Sequence, residues 1–149
     1  MNKETIYGVL MAGGVGSRFW PLSRQARPKQ LLRILSDKKM IRLTADRLQP
    51  LISPDNMYVV TNRQQVLGIR ESLPNVPSQN VLVEPFGRNT APCIGLAAMQ
   101  IERFDPDGVM VVLPADHIIR DERRFHEVLQ AAVSYALSTS HPVGTKVWN

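Results

Sequence analysis

Three glycines, Gly13, Gly14 and Gly16, directly follow an apolar run. Two basic residues that could bind an anion, Arg18 and Lys29, come after them in the sequence. Because glycine has no side chain, a phosphate group can approach its backbone closely and accept hydrogen bonds from the N–H groups. The two cationic side chains would neutralise part of the phosphate charge. The stretch therefore predicts a phosphate-binding loop. From these residues alone, the alternative is a glycine-rich turn beside solvated basic side chains.

The loop matches neither of two widespread phosphate-binding motifs. A Walker loop ends in Gly-Lys followed by Ser or Thr, and no glycine in this chain is followed by such a pair at the required spacing. The dinucleotide motif G-x-G-x-x-G fits only at Gly14 and Gly16, because Phe19 occupies the third glycine position. The glycines alone therefore leave the identity of the ligand open.

The elements that must position this loop indicate an α/β protein. Short runs rich in Val and Ile predict strands, and apolar residues at three- and four-residue spacing predict helices. The predicted strands are 6–12, 57–61, 81–83 and 109–113, and the predicted helices are 40–51, 64–73, 91–104 and 122–137. Their alternation favours a mainly parallel sheet with helices on both faces, in one domain of residues 1–149.

Ligands of such sheets bind outside the carboxyl ends of the strands, where the loops open. Three predicted strand ends carry unusual residues. They are "AGGVGSRFWPLS" after the first strand, "EPFGRNTAP" after the third and "PADH" after the fourth. These three segments are the candidates for a binding site.

The composition is that of a soluble globular protein, with 44% hydrophobic and 21% charged residues. No apolar run reaches the roughly 18 residues of a membrane span, and the N-terminus lacks a signal-peptide pattern, so we expect a cytoplasmic protein. The net charge of +5 suits an anionic partner. Because the basic residues are scattered, with few aromatics among them, we expect small phosphorylated ligands rather than nucleic acid or a membrane.

The single cysteine, Cys93, is expected to be a packed residue rather than a nucleophile.

Three segments together resemble a known family. "AGGVGSRFWPLS" followed by "RPKQ" is similar to the signature of the sugar-phosphate nucleotidyltransferases, and in particular to its mannose-1-phosphate guanylyltransferase branch. "EPFGRNTAPCIGLAA" and "LPADHII" resemble the next two blocks of that branch, in the same order. The similarity extends over residues 5 to 138 and implies a Rossmann-like nucleotidyltransferase sheet.

The resemblance implies transfer of GMP from GTP to mannose 1-phosphate, giving GDP-mannose and pyrophosphate, with Mg²⁺ as cofactor. No protein nucleophile is required, because the attacking oxygen belongs to a phosphate monoester whose second pKa is about 6. Arg18 would stabilise the departing pyrophosphate, and Lys29 would neutralise the phosphates near the reacting centre. The nucleotide-binding residues implied are Ala12, Gly13, Gly14, Gly16, Ser17, Glu84, Asn89 and Thr90.

Asp116 is the candidate metal ligand, since magnesium prefers carboxylate oxygen and the corresponding family residue binds this ion. The alternative is a strand-end aspartate that caps the next turn. His117 would be a candidate base, but alternation along a strand end predicts that its side chain points away from Asp116. We therefore expect a structural role for His117.

The segment around Glu84 is expected to shape the base pocket. A carboxylate can accept from both N1–H and N2–H of guanine, and the alternative is a surface glutamate at a turn. Asn89 or Thr90 is predicted to cap the next helix, with Pro92 in its first turn.

Catalytic domains of the resembled family are markedly longer than this chain, and their sugar-binding residues lie beyond its last helix. Because "HPVGTKVWN" at 141–149 resembles neither of the expected family segments, we expect a C-terminally truncated fold or an altered reading frame near Val143. The uncovered sheet edge would favour self-association or a homo-oligomer. Two alternatives remain open: a non-catalytic nucleotide-binding partner of a full-length subunit, and a nucleotidyltransferase for another sugar 1-phosphate.

Overall fold

The computed structural model describes residues 5–14, 38–85 and 90–139 of the chain. Strands and helices alternate in these ranges, as predicted. The strands are β1 (Ile6–Met11), β2 (Met57–Asn62), β3 (Val81–Glu84) and β4 (Val109–Pro114). The α-helices are α1 (Met40–Leu48), α2 (Val66–Ser72), α3 (Thr90–Glu102) and α4 (Glu122–Thr139). Short 3-10 turns at Pro54–Asn56 and Ser78–Asn80 lead into β2 and β3.

The four strands form one parallel sheet in the order β3-β2-β1-β4. The interior strand β2 is buried along its first five residues, because helices cover both faces of the sheet. Met11 at the end of β1 pairs with Val60 in β2 and with Pro114 in β4. The carboxyl ends of these three strands therefore lie side by side.

The strand order reverses between β1 and β4. From β1 the chain steps outward to β2 and β3, and it then crosses back over the sheet to place β4 on the other side of β1. Since crossovers between parallel strands are right-handed, this reversal puts α3 on the face opposite to α1 and α2. In open α/β sheets, ligands bind at such a reversal, outside the carboxyl ends of the strands. The segments after β1 and β4 both lie at this point.

Two apolar layers confirm that helices cover both faces. On one face, α1, α2 and α4 pack against the sheet through a cluster that includes Leu10, Val59, Ile41, Leu48, Ile69 and Phe125. On the other face, α3 packs through Cys93, Ala97 and Ile101 against Val9, Tyr58 and Val60. Alternate residues of β1 and β2 thus pack into the apolar layers on opposite faces of the sheet.

All four helices differ from the predicted bounds by one to three residues at one end or both, and local features explain where α1 ends and why α4 begins at Glu122 as predicted. Helix α1 ends at Leu48 rather than at Leu51, because Pro50 has no N–H with which to continue the helical hydrogen bonds. Helix α4 begins after Asp121, whose Oδ1 accepts a hydrogen bond from the Arg124 N–H at 2.9 Å and so caps the helix. Among the described residues, no helix combines the length and the apolar character that crossing a membrane would require.

Candidate functional site

The first half of the glycine loop, residues 12–14, continues β1 at the carboxyl edge of the sheet. The Ala12 N–H donates to the Val60 carbonyl at 2.8 Å, and the Ala115 N–H donates to the Met11 carbonyl at 3.1 Å. Ala12 is buried, Gly13 is half-buried and Gly14 is exposed. The loop therefore rises from the core into solvent within three residues, between the ends of β2 and β4.

Three side chains from β2 and the turn before α2 donate to successive carbonyl oxygens of this loop. Thr61 Oγ1 donates to the Ala12 carbonyl at 3.1 Å, and Asn62 Nδ2 donates to the Gly13 carbonyl at 3.1 Å. Gln65 Nε2 donates to the Gly14 carbonyl at 3.3 Å. We refer to Thr61, Asn62 and Gln65 as the carbonyl clamp. The sequence analysis did not single out these residues, although a Thr-Asn pair ending a buried apolar strand is a visible signal.

The orientation of the Asn62 amide is fixed by its surroundings. Its Oδ1 accepts from the backbone N–H groups of Gln64 and Gln65, both at 3.0 Å. Only an oxygen can accept these two bonds, so the amide nitrogen must face the Gly13 carbonyl. One side chain thereby orders the turn before α2 and the glycine loop together.

Glu84, at the end of β3, lies against the glycine loop. A Cβ atom built on Gly13 would come within 2.8 Å of Glu84 Oε2, a distance that real Cβ contacts do not show. Glycine at position 13 therefore makes room for this carboxyl group. Glu84 itself is only 9% exposed, so the alternative of a surface glutamate at a turn is wrong.

The second carboxyl oxygen of Glu84, Oε1, is buried and has no hydrogen-bond partner within the described ranges. Because burial disfavours the charged form, the pKa of Glu84 is raised above its ordinary value. A ligand that donated hydrogen bonds here would satisfy a buried acceptor that otherwise destabilises the protein.

Cys93 on α3 lies within electrostatic range of Glu84. Burial and, to a smaller extent, the Glu84 charge raise the pKa of this thiol to about 11. The thiol is therefore protonated at neutral pH and is a poor nucleophile. Its burial in the α3 layer confirms the prediction that Cys93 is a packed residue.

Gly14 differs from Gly13 in its surroundings. No atom of the described residues lies within 4 Å of a Cβ atom built on Gly14. Packing inside the described chain therefore does not require glycine at this position. A ligand that approaches the bare backbone would require it.

Asp116 lies in the turn directly after β4, with 36% of its side chain exposed. His117 Nε2 is 4.0 Å from Asp116 Oδ1, so the prediction that His117 points away from Asp116 is wrong. The reason is that β4 ends at Pro114, and strand alternation does not apply in the following turn. His117 is 67% exposed, which also argues against a packed structural role.

The Asp116 carboxylate suits a metal ion that is bound jointly by the protein and by the phosphate oxygens of a ligand. Among the described residues, no group of three or more His, Cys, Asp and Glu side chains could hold a metal by itself. Magnesium, however, is commonly bound by one or two carboxylates together with phosphate oxygens and water. Asp116 fits that arrangement, since its carboxylate is partly exposed and the preceding residue, Ala115, is hydrogen-bonded to the end of β1.

The other predicted site residues divide into two groups. Thr90 is the first residue of α3 and is exposed, and Pro92 lies in the first turn of that helix as predicted. The remaining candidates lie outside the described residues, and their roles stay predictions: Gly16, Ser17, Arg18, Lys29 and Asn89.

The chain is similar to several known proteins. Residues 7–147 match the family model described as Nucleotidyl transferase. A mannose-1-phosphate guanylyltransferase of Escherichia coli is 45% identical over 130 residues, which cover 86% of this chain and 27% of that protein. A protein of the same name from Escherichia coli K12 is 42% identical over 140 residues, covering 91% of this chain and 29% of that protein.

The fold comparison agrees. A Thermus thermophilus protein whose crystal structure is titled mannose-1-phosphate geranyltransferase superposes with a TM-score of 0.79 at 34% identity. The match covers 89% of this chain and 38% of that one. The chain thus spans less than a third of the length of the curated relatives described above. Its fold, its glycine loop and its match to the family model show that it belongs to the nucleotidyl transferase family.

Proposed function

We propose that this chain binds GTP at the carboxyl edge of its sheet and that it serves the transfer of GMP to mannose 1-phosphate. The observation that carries the proposal is that Gly13 and Gly14 continue β1 at the carboxyl edge, the same edge at which β3 ends in Glu84 and β4 leads into the turn that holds Asp116. The names of the relatives, mannose-1-phosphate guanylyltransferases, support the choice of substrates. A reaction that consumes GTP also favours the cytoplasm, where nucleoside triphosphates are made.

In this reaction a phosphate oxygen of the sugar 1-phosphate attacks the α-phosphorus of GTP. The bond from that phosphorus to the bridging oxygen breaks, and pyrophosphate leaves with the electron pair. The attacking oxygen is already ionised at neutral pH, so no general base is required. The protein has to align two anions that repel each other and to offset the charge of the leaving group.

The residues of the carboxyl edge supply parts of this task. The backbone N–H groups of Gly13 and Gly14 would bind phosphate oxygens, and no side chain at position 14 would obstruct them. Asp116 would hold Mg²⁺ together with those oxygens, and the ion would offset charge on the α-phosphate and the leaving pyrophosphate. Family members typically use a divalent metal. From the sequence, Arg18 and Lys29 would add cationic groups at the leaving pyrophosphate and the reacting centre.

Glu84 is proposed to read the base. Guanine carries two adjacent donors, N1–H and N2–H, which a single carboxylate can accept. The unpartnered Oε1 of Glu84 supports this role, because two donors from guanine would satisfy it. Adenine offers no such pair of donors on that edge, so selection for GTP would follow.

Two measurements on the 149-residue chain test the proposal. The first is calorimetric binding of GTP in the presence of Mg²⁺, with ATP as the competing nucleotide. The second is pyrophosphate release from GTP and mannose 1-phosphate, with glucose 1-phosphate as the control substrate. Binding together with release supports the transferase. Binding without release assigns the chain a nucleotide-binding role only, and absence of GTP binding contradicts the proposal.

A further inference from the structure

The carbonyl clamp has a geometry that a regular strand does not produce. In a regular strand, successive carbonyl groups point to opposite sides. In this loop, the carbonyl oxygens of Ala12, Gly13 and Gly14 all accept hydrogen bonds from β2 and the turn before α2. All three carbonyl oxygens are therefore turned toward one side.

This arrangement dictates where the loop N–H groups point. In a planar trans peptide, the carbonyl of one residue and the N–H of the next point in opposite directions. Since the carbonyls of Ala12 and Gly13 face β2, the N–H groups of Gly13 and Gly14 face away from it, toward the side where β4 and Asp116 lie. Successive N–H groups on one side of a loop form an anion-binding concavity.

We propose that Thr61, Asn62 and Gln65 are positioning residues for phosphate, holding the N–H groups of Gly13 and Gly14 toward the triphosphate and Asp116. The proposal rests on the proposed function, because it takes the nucleotide to bind at this edge. Thr61 is fully buried and Gln65 is 3% exposed, so they would act through the loop rather than by touching the ligand.

Thr61 provides the sharpest test. Replacing Thr61 by Val keeps the shape of the side chain and removes only the donor to the Ala12 carbonyl, whereas Thr61→Ser keeps that donor. Helix α1 offers a matched control in Thr44, which is 2% exposed and whose Oγ1 donates to the Met40 carbonyl at the same distance of 3.1 Å. Thr44→Val removes an equivalent buried hydrogen bond that lies within α1 and involves no carbonyl of the glycine loop. A fourth variant, Gln65→Met, tests a second clamp residue without adding charge.

The experiment is calorimetric titration of each variant with three probes, GTP, tripolyphosphate and guanosine, at a temperature at which circular dichroism shows every variant folded. We expect Thr61→Val and Gln65→Met to lose about tenfold in affinity for GTP and tripolyphosphate, the size of one hydrogen bond, with guanosine binding unchanged. Thr61→Ser and Thr44→Val are expected to stay within about twofold of the original chain.

The outcomes separate this inference from the proposed function. If the original chain binds GTP and Thr61→Val binds tripolyphosphate equally well, the clamp only satisfies buried carbonyls and the inference is wrong. Equal losses in Thr61→Val and Thr44→Val would also overturn it, because they would reflect stability alone. If the original chain binds neither GTP nor tripolyphosphate, the proposed function itself fails.

Discussion

At the scale of single residues, the two described glycines of the loop differ in their surroundings. Gly13 makes room for the Glu84 carboxyl group, whereas no atom of the described residues lies within 4 Å of a Cβ atom built on Gly14. The folded protein requires glycine at position 13, and the proposed phosphate ligand would require it at position 14. Substitutions at the two positions should therefore have different consequences.

We predict that Gly14→Ala leaves the thermal midpoint nearly unchanged and weakens GTP binding by about tenfold or more, since a methyl group would occupy the path of the phosphate. Gly95 in α3 is the matched control, because its Cβ position is also open and it lies inside a helix. Gly95→Ala should stabilise the protein by about 1 kcal/mol and leave GTP affinity unchanged. Thermal melting and calorimetry of both variants check this, and unchanged GTP affinity in Gly14→Ala would contradict it.

Glu84→Gln should increase stability and reduce selectivity. Because burial raises the pKa of Glu84, the charged carboxylate destabilises the folded state, and its stability contribution is present below pH 4.5 and lost as the pH rises through the raised pKa. Chemical denaturation should show Glu84→Gln to be the more stable form at neutral pH, with the difference vanishing in acid. The same variant should lose preference for GTP over ATP. Unchanged selectivity would remove Glu84 from base reading.

Asp116→Asn should weaken the magnesium-dependent part of GTP binding, because the amide keeps the shape of the side chain and loses its charge. Calorimetry with Mg²⁺ and with a chelator measures that part directly. Equal GTP affinity of the original chain under both conditions would count against a metal at Asp116.

At the scale of elements, the positions of the strands could be predicted from the sequence, whereas their order in the sheet was not predicted. All four observed strands agree with the predicted ones to within one residue, because each is a Val- and Ile-rich run bounded by turn residues. Such apolar runs predict that a strand is buried on both faces of the sheet, but they do not predict which strands lie next to it. The order β3-β2-β1-β4 depends on pairings between distant segments, as does the clamp, where Thr61 and Asn62 lie 49 residues from the carbonyls they bind.

The difference between local sequence patterns and contacts between distant segments also explains which features of the candidate site could be predicted. The positions of Glu84 and Asp116 at the carboxyl edge could be predicted from the sequence, because each follows a predicted strand and parallel strands end at the same edge. His117 was placed wrongly, because strand alternation was extended beyond the predicted end of the fourth strand at 113, into the turn that holds Asp116. The burial of Glu84 beneath the glycine loop depends on the tertiary contact with Gly13.

Helix α4 provides a prediction that separates stability from binding. Asp121→Ala removes the side-chain cap on the Arg124 N–H and should lower the free energy of unfolding by about 1 kcal/mol. GTP affinity should not change, since Asp121 is exposed at the start of α4 and is absent from the described contacts of the loop. Denaturant titration measures the free energy of unfolding, and calorimetry measures the affinity for GTP. A marked loss of GTP affinity would show that α4 helps to order the site.

At the scale of the whole molecule, the sheet reversal concentrates the candidate residues at one edge. The segment after β1 contributes Gly13 and Gly14, the last residue of β3 is Glu84, and the turn after β4 contributes Asp116. The carbonyl clamp comes from β2 and the turn that follows it. Near the amino ends of the same strands, the Tyr7 hydroxyl donates a hydrogen bond to Asp105 at 3.1 Å. The central claim is that the nucleotide binds at the carboxyl edge.

The most direct test of that claim is titration of the ¹⁵N-labelled chain with GTP and Mg²⁺, followed by NMR of the backbone amides. We predict that the amide signals of Gly13, Gly14, Glu84 and Asp116 shift with GTP concentration. The amide signals of Asn56 and Gly108, which precede β2 and β4, should stay in place. Shifts confined to the amino ends of the strands, or no shifts at saturating GTP, would contradict the account.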